Sequence, residues 1–482
     1  MKIKYIAAAL AVILATSCDN DHKPDWDEPG ATSVAMASTS VTAGSTVSTS
    51  LDTIKITYSA PVAVNSLVAI TLNDANVSAS VSADNQSVVN VILPALTPAT
   101  NYTLSVPDRA IAGVNARSFA PAFTLSFTTE GTVTPELPNV NPEGLVNASA
   151  TQQTKNVYNF LIENIGKKIV SGAMANVNNN NDFASWIKEK TGKTPVINGY
   201  DFIHLPESAP GQWIDYMDIT PATTHWDANG IVSYMWHWRV PTDEQAWNDK
   251  DINRYGARVP GENVDGPTDF DIKKAVTEGT WENRFILEDI DKAAETLKKL
   301  QEAGIPVIWR PLHEAAGSYK YNGAWFWWGA KGGEATKALW KLMYDRLVNH
   351  HGLNNLIWVW TAQYEEGYTD RMLADYPGNE YVDAVGTDIY ADNDASQVAA
   401  FKALVEMTGG KKLIAISETG LIQNPDKCFA DKAYWSWFNL WYTYDIHKTG
   451  DDKDGFGNTA ESLRAIMENP LVITLDQMPS LK

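Results

Sequence analysis

Beyond residue 150 the chain alternates short apolar segments with amphipathic helical patterns, and this alternation restricts the possible folds more than any other feature. Continuous apolar strands that alternate with helices predict a parallel sheet that closes on itself and is covered by helices on its outside. The helical pattern is clear in residues 289–303, where apolar residues share one face and Gly304 would end the helix. The eight apolar segments are residues 169–174, 195–202, 231–238, 306–311, 356–360, 382–390, 413–418 and 437–442. They predict an α/β fold, a (β/α)8 TIM barrel, over residues 151–482.

Two of these predicted strands end in a carboxylate. The fourth runs into the sequence RPLHE, which ends at Glu314, and the seventh runs into ISETG, which places Glu418 just before a glycine turn. In such barrels the C-terminal ends of the strands meet at one face, so both carboxylates are expected in one cleft. Retaining glycosidases need a carboxyl pair about 5 Å apart, one to attack the anomeric carbon and one to protonate the leaving oxygen. The pair therefore favours a role in glycoside hydrolysis over the alternative, in which the two glutamates only form structural salt bridges.

The motif RPLHE, the following WFWWG and the downstream ISETG together resemble glycoside hydrolase family 26, whose members are mostly endo-β-1,4-mannanases. The resemblance covers roughly residues 150–475. It implies an endo-acting, retaining hydrolase of mannan, galactomannan or glucomannan, with Glu418 as nucleophile and Glu314 as acid/base. Two alternatives stay open. One is a hydrolase of the same fold that acts on β-1,3-xylan or mixed-linkage β-glucan, and the other is a catalytically silent surface glycan-binding lipoprotein.

The resemblance also implies roles for residues at other strand ends. His237 would help to bind sugar beside the cleavage point, and Trp441 would form the aromatic platform beneath the sugar there. Tyr390 matches the family tyrosine that hydrogen-bonds the nucleophile, although Asp388 shares its strand face and could make that bond instead. The long segment 239–282 is predicted to form a wall of the cleft.

Three more residues belong to the motif around the predicted acid/base. His313 precedes Glu314 and is expected to contact the substrate or the nucleophile region. Arg310 lies on the same alternating strand face as Glu314, where it would either lower the pKa of a neighbouring carboxylate or form a structural ion pair. Trp325 is expected to bind substrate, but an insertion separates it from Glu314 by more than the short loop usual in the family. That insertion carries Tyr319 and Tyr321.

The N-terminus predicts export and a lipid anchor. In residues 1–17 two lysines precede an apolar stretch that is too short to span a bilayer, and small residues lead up to Cys18. This resembles a bacterial lipoprotein signal peptide, so Cys18 is expected to carry the lipid; a simple secretory signal with an incidental cysteine is the alternative. The acidic residues 18–30 would form a tether and resemble a surface-export signal. The predicted location is the outer membrane, with the protein lipid-anchored at the cell surface of a Gram-negative bacterium.

Residues 31–130 are rich in Ser, Thr, Val and Ala and contain no Trp, a composition that favours strands. Apolar alternation between turn signals predicts a small all-β sandwich, and its layout resembles the immunoglobulin-like modules of bacterial surface proteins. It would serve as a spacer or as a carbohydrate-binding module, and the scarcity of aromatic residues favours the spacer. The proline-bearing residues 131–150 are predicted to form a linker.

Charge and composition limit the partners of this chain. A formal net charge of −20 argues against a nucleic-acid groove and suits a neutral polysaccharide such as β-mannan. The two cysteines are too few for a disulfide framework. The sequence shows neither a metal-ligand spacing of His, Cys and Asp nor a phosphate-binding glycine loop, so no metal and no cofactor are expected. We also expect a monomer.

Overall fold

The computed structural model describes residues 34–114, 118–130, 139–260, 267–315, 317, 324–442 and 457–482. The chain divides into two compact units, Met1–Glu136 and Leu137–Lys482. Within the described ranges, no helix is both long enough and apolar enough to cross a bilayer. The predicted signal peptide, Cys18 and the acidic tether lie outside the described residues and stay predictions.

The N-terminal unit is built from β-strands, as its composition predicted. Apolar side chains alternate along the longer strands, so that Ile54, Ile56 and Tyr58 all face one buried core. Neighbouring strands of its eight-stranded sheet are antiparallel, except that Thr46–Val47 pairs in parallel with Phe123–Thr129. In chain order the strands are Met36–Thr39, Thr46–Val47, Thr53–Tyr58, Val62–Val64, Ile70–Leu72, Ala75–Val81, Val88–Ile92, Asn101–Val106, Ile111–Gly113 and Phe123–Thr129.

The C-terminal unit contains a closed barrel of eight parallel strands, which confirms the predicted TIM barrel. Each of the predicted apolar segments overlaps one barrel strand, and Ser233 is the only residue of these eight strands that is not buried. Burial on both faces explains why these strands are continuously apolar and do not alternate. In chain order they are Gly172–Met174, Ile197–Asp201, Ile231–Met235, Val307–Arg310, Leu356–Thr361, Ala384–Ile389, Leu413–Thr419 and Phe438–Leu440.

Helices connect the barrel strands. The helix predicted over residues 289–303 is longer, Trp281–Glu302, because the side chain of Thr280 accepts a hydrogen bond from Asn283 N–H (3.1 Å) and caps its start. Gly304 follows it with a φ of +71°, a conformation that glycine adopts freely. In the part of the chain that the structure describes, the other α-helices are Gln152–Glu163, Asp182–Thr191, Thr220–Asp227, Glu244–Asn248, Ile272–Ala275, Gly333–Tyr344, Thr369–Asp375, Val398–Thr408, Pro425–Ala430 and Ala460–Met467. Short 3₁₀ turns are Phe202–Glu207, Ile252–Arg254, Trp327–Gly329, Asn379–Tyr381 and Leu475–Gln477, and Asp345–His350 is a π-helical turn.

Residues 139–150, the second half of the predicted linker, lie against the N-terminal end of the barrel. The N–H groups of Asn141 and Glu143 donate to carbonyl groups of the loop before the seventh strand (2.8 and 2.9 Å). Val146 N–H donates to Asp383 Oδ1 just before the sixth strand (2.7 Å). These bonds make the segment part of the barrel unit.

Candidate active site

The C-terminal ends of the barrel strands enclose a cleft of about 590 Å³. The predicted acid/base Glu314 lies in its wall. The segment 239–282 contributes to the same wall through the antiparallel strand pair Val240–Pro241 and Tyr255–Gly256, as the sequence indicated. The lining residues are Ile203, His237, Arg239, Tyr255, Gly256, Ala257, Arg258, Glu314, Trp325, Phe326 and Tyr390.

Glu418 lies on the seventh barrel strand with only 4% of its surface exposed. Its carboxylate accepts hydrogen bonds from Arg310 Nη2 and from Tyr390 Oη, the second at 2.8 Å. Burial and the nearby Asp388 charge raise the pKa of Glu418 to about 7, and the charges of Arg310 and His237 and the Tyr390 hydrogen bond limit that rise. Tyr390, and not Asp388, therefore makes the hydrogen bond to Glu418 that the sequence left open between them.

Arg310 connects the carboxylates at the bottom of the cleft. Its Nη1 donates to Thr361 Oγ1 (2.9 Å) and to Asp388 Oδ2 (3.2 Å), while Nη2 donates to Glu418. Asp388 Oδ1 also accepts from Ser417 Oγ (2.7 Å). Both interpretations of Arg310 thus apply, because it pairs with Asp388 and also lowers the pKa of Glu418.

Glu314 follows the fourth strand in an uncommon backbone conformation. Both Leu312 and Glu314 have positive φ angles, +51° and +48°, which residues other than glycine seldom adopt. Such strain persists only where the surrounding contacts enforce it, and it is concentrated at functional sites. Burial raises the pKa of Glu314 well above its ordinary value, and the negative charges of Asp388 and Glu418 and a hydrogen bond with Asp388 act in the same direction. The protonated form of Glu314 is therefore favoured.

The two predicted histidines contact one another beside the carboxylates. His237 Nδ1 lies 2.6 Å from Asp201 Oδ2, and His237 Nε2 lies 3.2 Å from His313 Nε2. Burial lowers the pKa of His237, but the charge and hydrogen bond of Asp201 outweigh it, so that the net shift is upward. Burial holds the pKa of His313 well below its ordinary value, and His313 is therefore neutral.

Aromatic residues complete the cleft. Trp441 follows the eighth strand and meets the ring of His237 edge-on, with 5.8 Å between ring centroids. Trp325 is 37% exposed, and the guanidinium of Arg258 lies 5.7 Å from its ring centroid. Tyr390 is 47% exposed, yet its hydroxyl end is enclosed beside Glu418, and burial raises the pKa of that hydroxyl. The two tyrosines of the predicted insertion, Tyr319 and Tyr321, lie outside the described residues.

Asp201, Tyr255 and Arg258 are among the residues of this site that were not predicted. Asp201 ends the second barrel strand in the sequence GYDF, so the signal that found Glu314 and Glu418, an apolar strand ending in a carboxylate, could have found it too. Tyr255 and Arg258 line the cleft from the long segment after the third strand. Residues in a long loop follow no periodic sequence pattern, so their position in the cleft could not be predicted.

One group elsewhere has the composition of a metal site. Potential ligand atoms of Asp291, His350 and His351 lie within 4.8 Å of one another. However, Arg346 donates two hydrogen bonds to the Asp291 carboxylate (2.8 and 2.7 Å), and His351 Nε2 lies 2.6 Å from the same group. A guanidinium in that position repels a metal ion, so an ion-pair cluster explains these residues.

Comparisons with known proteins place similar sequences and folds in one family. The model of glycosyl hydrolase family 26 matches residues 146–477. A mannan endo-1,4-β-mannosidase of Thermothelomyces thermophilus is 35% identical over 356 residues, which are 72% of this chain and 66% of that protein. Mannan endo-1,4-β-mannosidase B of Piromyces sp. is 35% identical over 351 residues, 71% of this chain and 54% of that protein. The crystal structure of a β-mannanase from a symbiotic protist of the termite Reticulitermes speratus, complexed with gluco-manno-oligosaccharide, aligns with a TM-score of 0.61 and 34% identity over 71% of this chain and 99% of that chain.

The family match lies within the barrel unit. The residues that match the family model, 146–477, all lie within Leu137–Lys482. The chain spans less than two thirds of the length of the two curated mannosidases, 66% and 54%.

Proposed function

The chain belongs to glycosyl hydrolase family 26, and from this membership we propose that it is an endo-acting, retaining hydrolase of β-1,4-linked mannan. Relatives named mannan endo-1,4-β-mannosidase share 35% identity with it. The proposed substrates are mannan, galactomannan and glucomannan. The gluco-manno-oligosaccharide bound by the termite-protist enzyme supports the last of these.

One observation carries the proposal, namely that two carboxyl groups in one cluster have opposite surroundings. Glu418 accepts hydrogen bonds from Arg310 and Tyr390, which stabilise its ionised form. Burial and the neighbouring negative charges of Asp388 and Glu418 favour the protonated form of Glu314. Two carboxyl groups whose environments separate their protonation states can act as nucleophile and general acid.

The proposed reaction is a double displacement. Glu418 attacks the anomeric carbon while Glu314 gives its proton to the glycosidic oxygen, so that the glycosidic bond breaks and the leaving sugar departs with a new hydroxyl group. Glu314, now ionised, then takes a proton from a water molecule, whose oxygen attacks the same carbon and releases Glu418. Two inversions at one carbon give net retention.

Four residues are proposed to hold the sugar during these steps. Trp441 provides an apolar ring for a sugar face, and the exposed ring of Trp325 provides another at the cleft wall. His237 and His313 provide ring nitrogens for sugar hydroxyl groups. A neutral polymer needs this combination of rings and hydrogen-bonding groups and no charged pocket.

Reducing-end release from purified protein tests the proposal. We expect activity on mannan, galactomannan or glucomannan, and the β-anomer as first product by ¹H NMR, with Glu418→Gln as the inactive control. Preferred cleavage of β-1,3-xylan or mixed-linkage β-glucan would show that this glycan, and not mannan, is the substrate. Binding without hydrolysis on every glycan would favour a glycan-binding lipoprotein, and an inverted product would exclude double displacement.

We further propose that the protein is a surface lipoprotein anchored through Cys18. The support is the sequence of residues 1–18, in which two lysines, a short apolar stretch and small residues precede the cysteine. We expect Cys18→Ser to release the protein from membrane fractions, and protease added to intact cells to remove the wild-type protein. A Cys18→Ser variant that stays in the membrane would rule out this anchor.

The N-terminal unit is proposed to be an immunoglobulin-like spacer. Its residues 31–130 contain no Trp, and the guanidinium of Arg109 lies 6.0 Å from the ring centroid of the exposed Phe119. We expect deletion of this unit to leave the affinity for insoluble mannan unchanged. A loss of affinity would favour a carbohydrate-binding module. Sedimentation of the full protein tests the expected monomer.

A further inference from the structure

A buried carboxylate stands behind His237. Asp201 ends the second barrel strand and is 7% exposed. Its Oδ1 accepts from the N–H groups of Ile203 (3.0 Å) and His237 (2.9 Å), and its Oδ2 lies 2.6 Å from His237 Nδ1. Three hydrogen-bond partners thus converge on one carboxylate and fix its position.

The backbone of Asp201 is fixed as well. Asp201 N–H donates to Asn179 Oδ1 (3.1 Å), and Asp201 O accepts from Tyr216 Oη (2.6 Å). Loops after the first and second strands therefore hold this residue from both sides. Such support is what keeps a functional side chain within the narrow range of positions that catalysis tolerates.

The contact between Asp201 and His237 decides where the histidine proton lies. A carboxylate accepts hydrogen bonds and does not donate them, so Nδ1 of His237 carries a proton. The other nitrogen, Nε2, then faces His313 Nε2 at 3.2 Å, and His237 itself lines the cleft.

We propose that Asp201 is a positioning residue of this hydrolase, which fixes the proton position and ring orientation of His237 and so presents Nε2 to His313 and the sugar. Its consequence for catalysis rests on the proposed function. The state of the His237 ring does not, and it can be measured by itself.

The charges around His237 give the proposal a pH signature. Asp201 faces the ring from the second strand, Arg310 and His313 from the fourth, and Glu418 from the seventh. Asp201 raises the pKa of His237 against the effect of burial, and positive His237 lowers the pKa of Glu418. Loss of the Asp201 charge should therefore raise the pKa of Glu418 and move the acid limb of activity to higher pH.

Long-range ¹H–¹⁵N NMR of the full protein tests the ring state directly, with His237→Gln to assign the signals. In the wild type we expect His237 Nδ1 to be protonated. In Asp201→Asn we expect a neutral ring with the proton on Nε2, because the new amide donates to Nδ1. A wild-type ring with unprotonated Nδ1, or an unchanged ring in Asp201→Asn, overturns the proposal. The wild-type spectrum decides even if the variant does not fold.

Kinetics test the consequence, with Asp289→Asn as the matched control. Asp289 is another buried carboxylate, and it accepts from Trp238 Nε1 (2.8 Å), one residue beyond His237. We expect Asp201→Asn to lower kcat/KM on mannan by on the order of 10- to 100-fold, as for misplaced catalytic groups, and to shift the acid limb upward. Asp289→Asn should lower only the thermal midpoint. If both variants lose stability alone, Asp201 is structural. If the wild type cleaves no mannan, the proposed function fails and the NMR result still decides the positioning.

Discussion

Two buried carboxylates at opposite ends of the barrel have similar burial and different surroundings. Asp383 precedes the sixth strand and accepts from two backbone N–H groups (2.7 and 2.8 Å). Glu418, at the other end, accepts from the side chains of Arg310 and Tyr390. Burial is the first cause that raises both pKa values, that of Asp383 to about 6 and that of Glu418 to about 7.

The difference shows that a raised pKa alone does not identify an active site. Both donors to Asp383 are backbone N–H groups, and one of them, that of Val146, ties residues 139–150 to the barrel. Glu418 shares its surroundings with Glu314 and Asp388 at a cleft, where protons can pass to a bound molecule. A carboxylate that changes its bonding during a reaction needs partners of this second kind.

If Glu418 is the nucleophile, its removal should cost far more activity than removal of Asp383. We expect Glu418→Ala to lower kcat on the order of 10⁴- to 10⁶-fold, for both poor and activated leaving groups, as when other covalent nucleophiles are removed. Asp383→Asn, at the opposite end, should leave kcat nearly unchanged. Azide should occupy the space left in Glu418→Ala and give the α-glycosyl azide, which mass spectrometry and NMR would identify.

Glu314 should fail in a different way. Glu314→Ala removes the general acid, so hydrolysis of polysaccharide should fall on the order of 10²- to 10⁴-fold. Substrates with an activated aryl leaving group should still form the glycosyl-enzyme on Glu418, which accumulates because no base activates water. Azide should trap this intermediate as the β-glycosyl azide. Exchange of the two azide products between the variants would reverse the assigned roles.

The cations beside Glu418 and Asp383 should also differ in their effect on stability. Arg310→Met leaves Glu418 and Asp388 buried without their cation, which we expect to cost about 3–5 kcal/mol in the free energy of unfolding. Lys412→Met removes the buried cation near Asp383, whose two backbone donors remain, and should cost only about 1 kcal/mol. Urea unfolding of both variants at pH 8 measures the difference. Equal losses would show that the two ends do not differ in this respect.

The barrel could be predicted because strands that are buried on both faces consist of consecutive apolar residues, which are visible in the sequence. Boundaries were less accurate where one apolar segment serves two sheets. The segment 169–174 contains Ile169–Val170, which pairs with Val472–Ile473, and separately the barrel strand Gly172–Met174. The distant partner of the first pair leaves no mark within the segment itself. Long-range pairing of this kind cannot be read from local pattern.

The candidate site was predictable where a strand ended in a reactive residue, and less so where side-chain reach decides. Alternation predicted one strand face for Tyr390 and Asp388, but the sixth strand ends at Ile389, and the hydroxyl of Tyr390 beyond it donates to Glu418. The positive φ angles of Leu312 and Glu314 could not be predicted either, because leucine and glutamate ordinarily avoid this conformation and the sequence gives no sign of it. The roles assigned to these residues stay predictions until the variants are measured.

The side-chain donors to Glu418 should make its titration adjustable. Activity requires ionised Glu418, so kcat/KM should fall as the pH drops through about 7. Tyr390→Phe removes a hydrogen bond that favours the ionised form, which raises the pKa of Glu418 and should move this limb upward by about one pH unit. Tyr344→Phe, whose ring packs on Trp358, is the matched control. A limb that stays in place would show that Glu418 does not control it.

The smallest effect on activity is expected at the opposite end. A chain that begins at residue 148 lacks Val146, whose N–H donates to Asp383, whereas a chain that begins at residue 137 retains it. We expect the shorter chain to be about 1–3 kcal/mol less stable, because part of a buried carboxylate loses its donor, and to keep the same kcat. The Val146 hydrogen bond lowers the pKa of Asp383, so its loss raises that pKa further. The deficit should therefore be small at pH 5, where Asp383 is protonated, and should grow as the pH rises through about 6. Urea unfolding of both chains at pH 5 and pH 8 measures it, and equal stability at pH 8 would show that residues 139–147 are an ordinary linker.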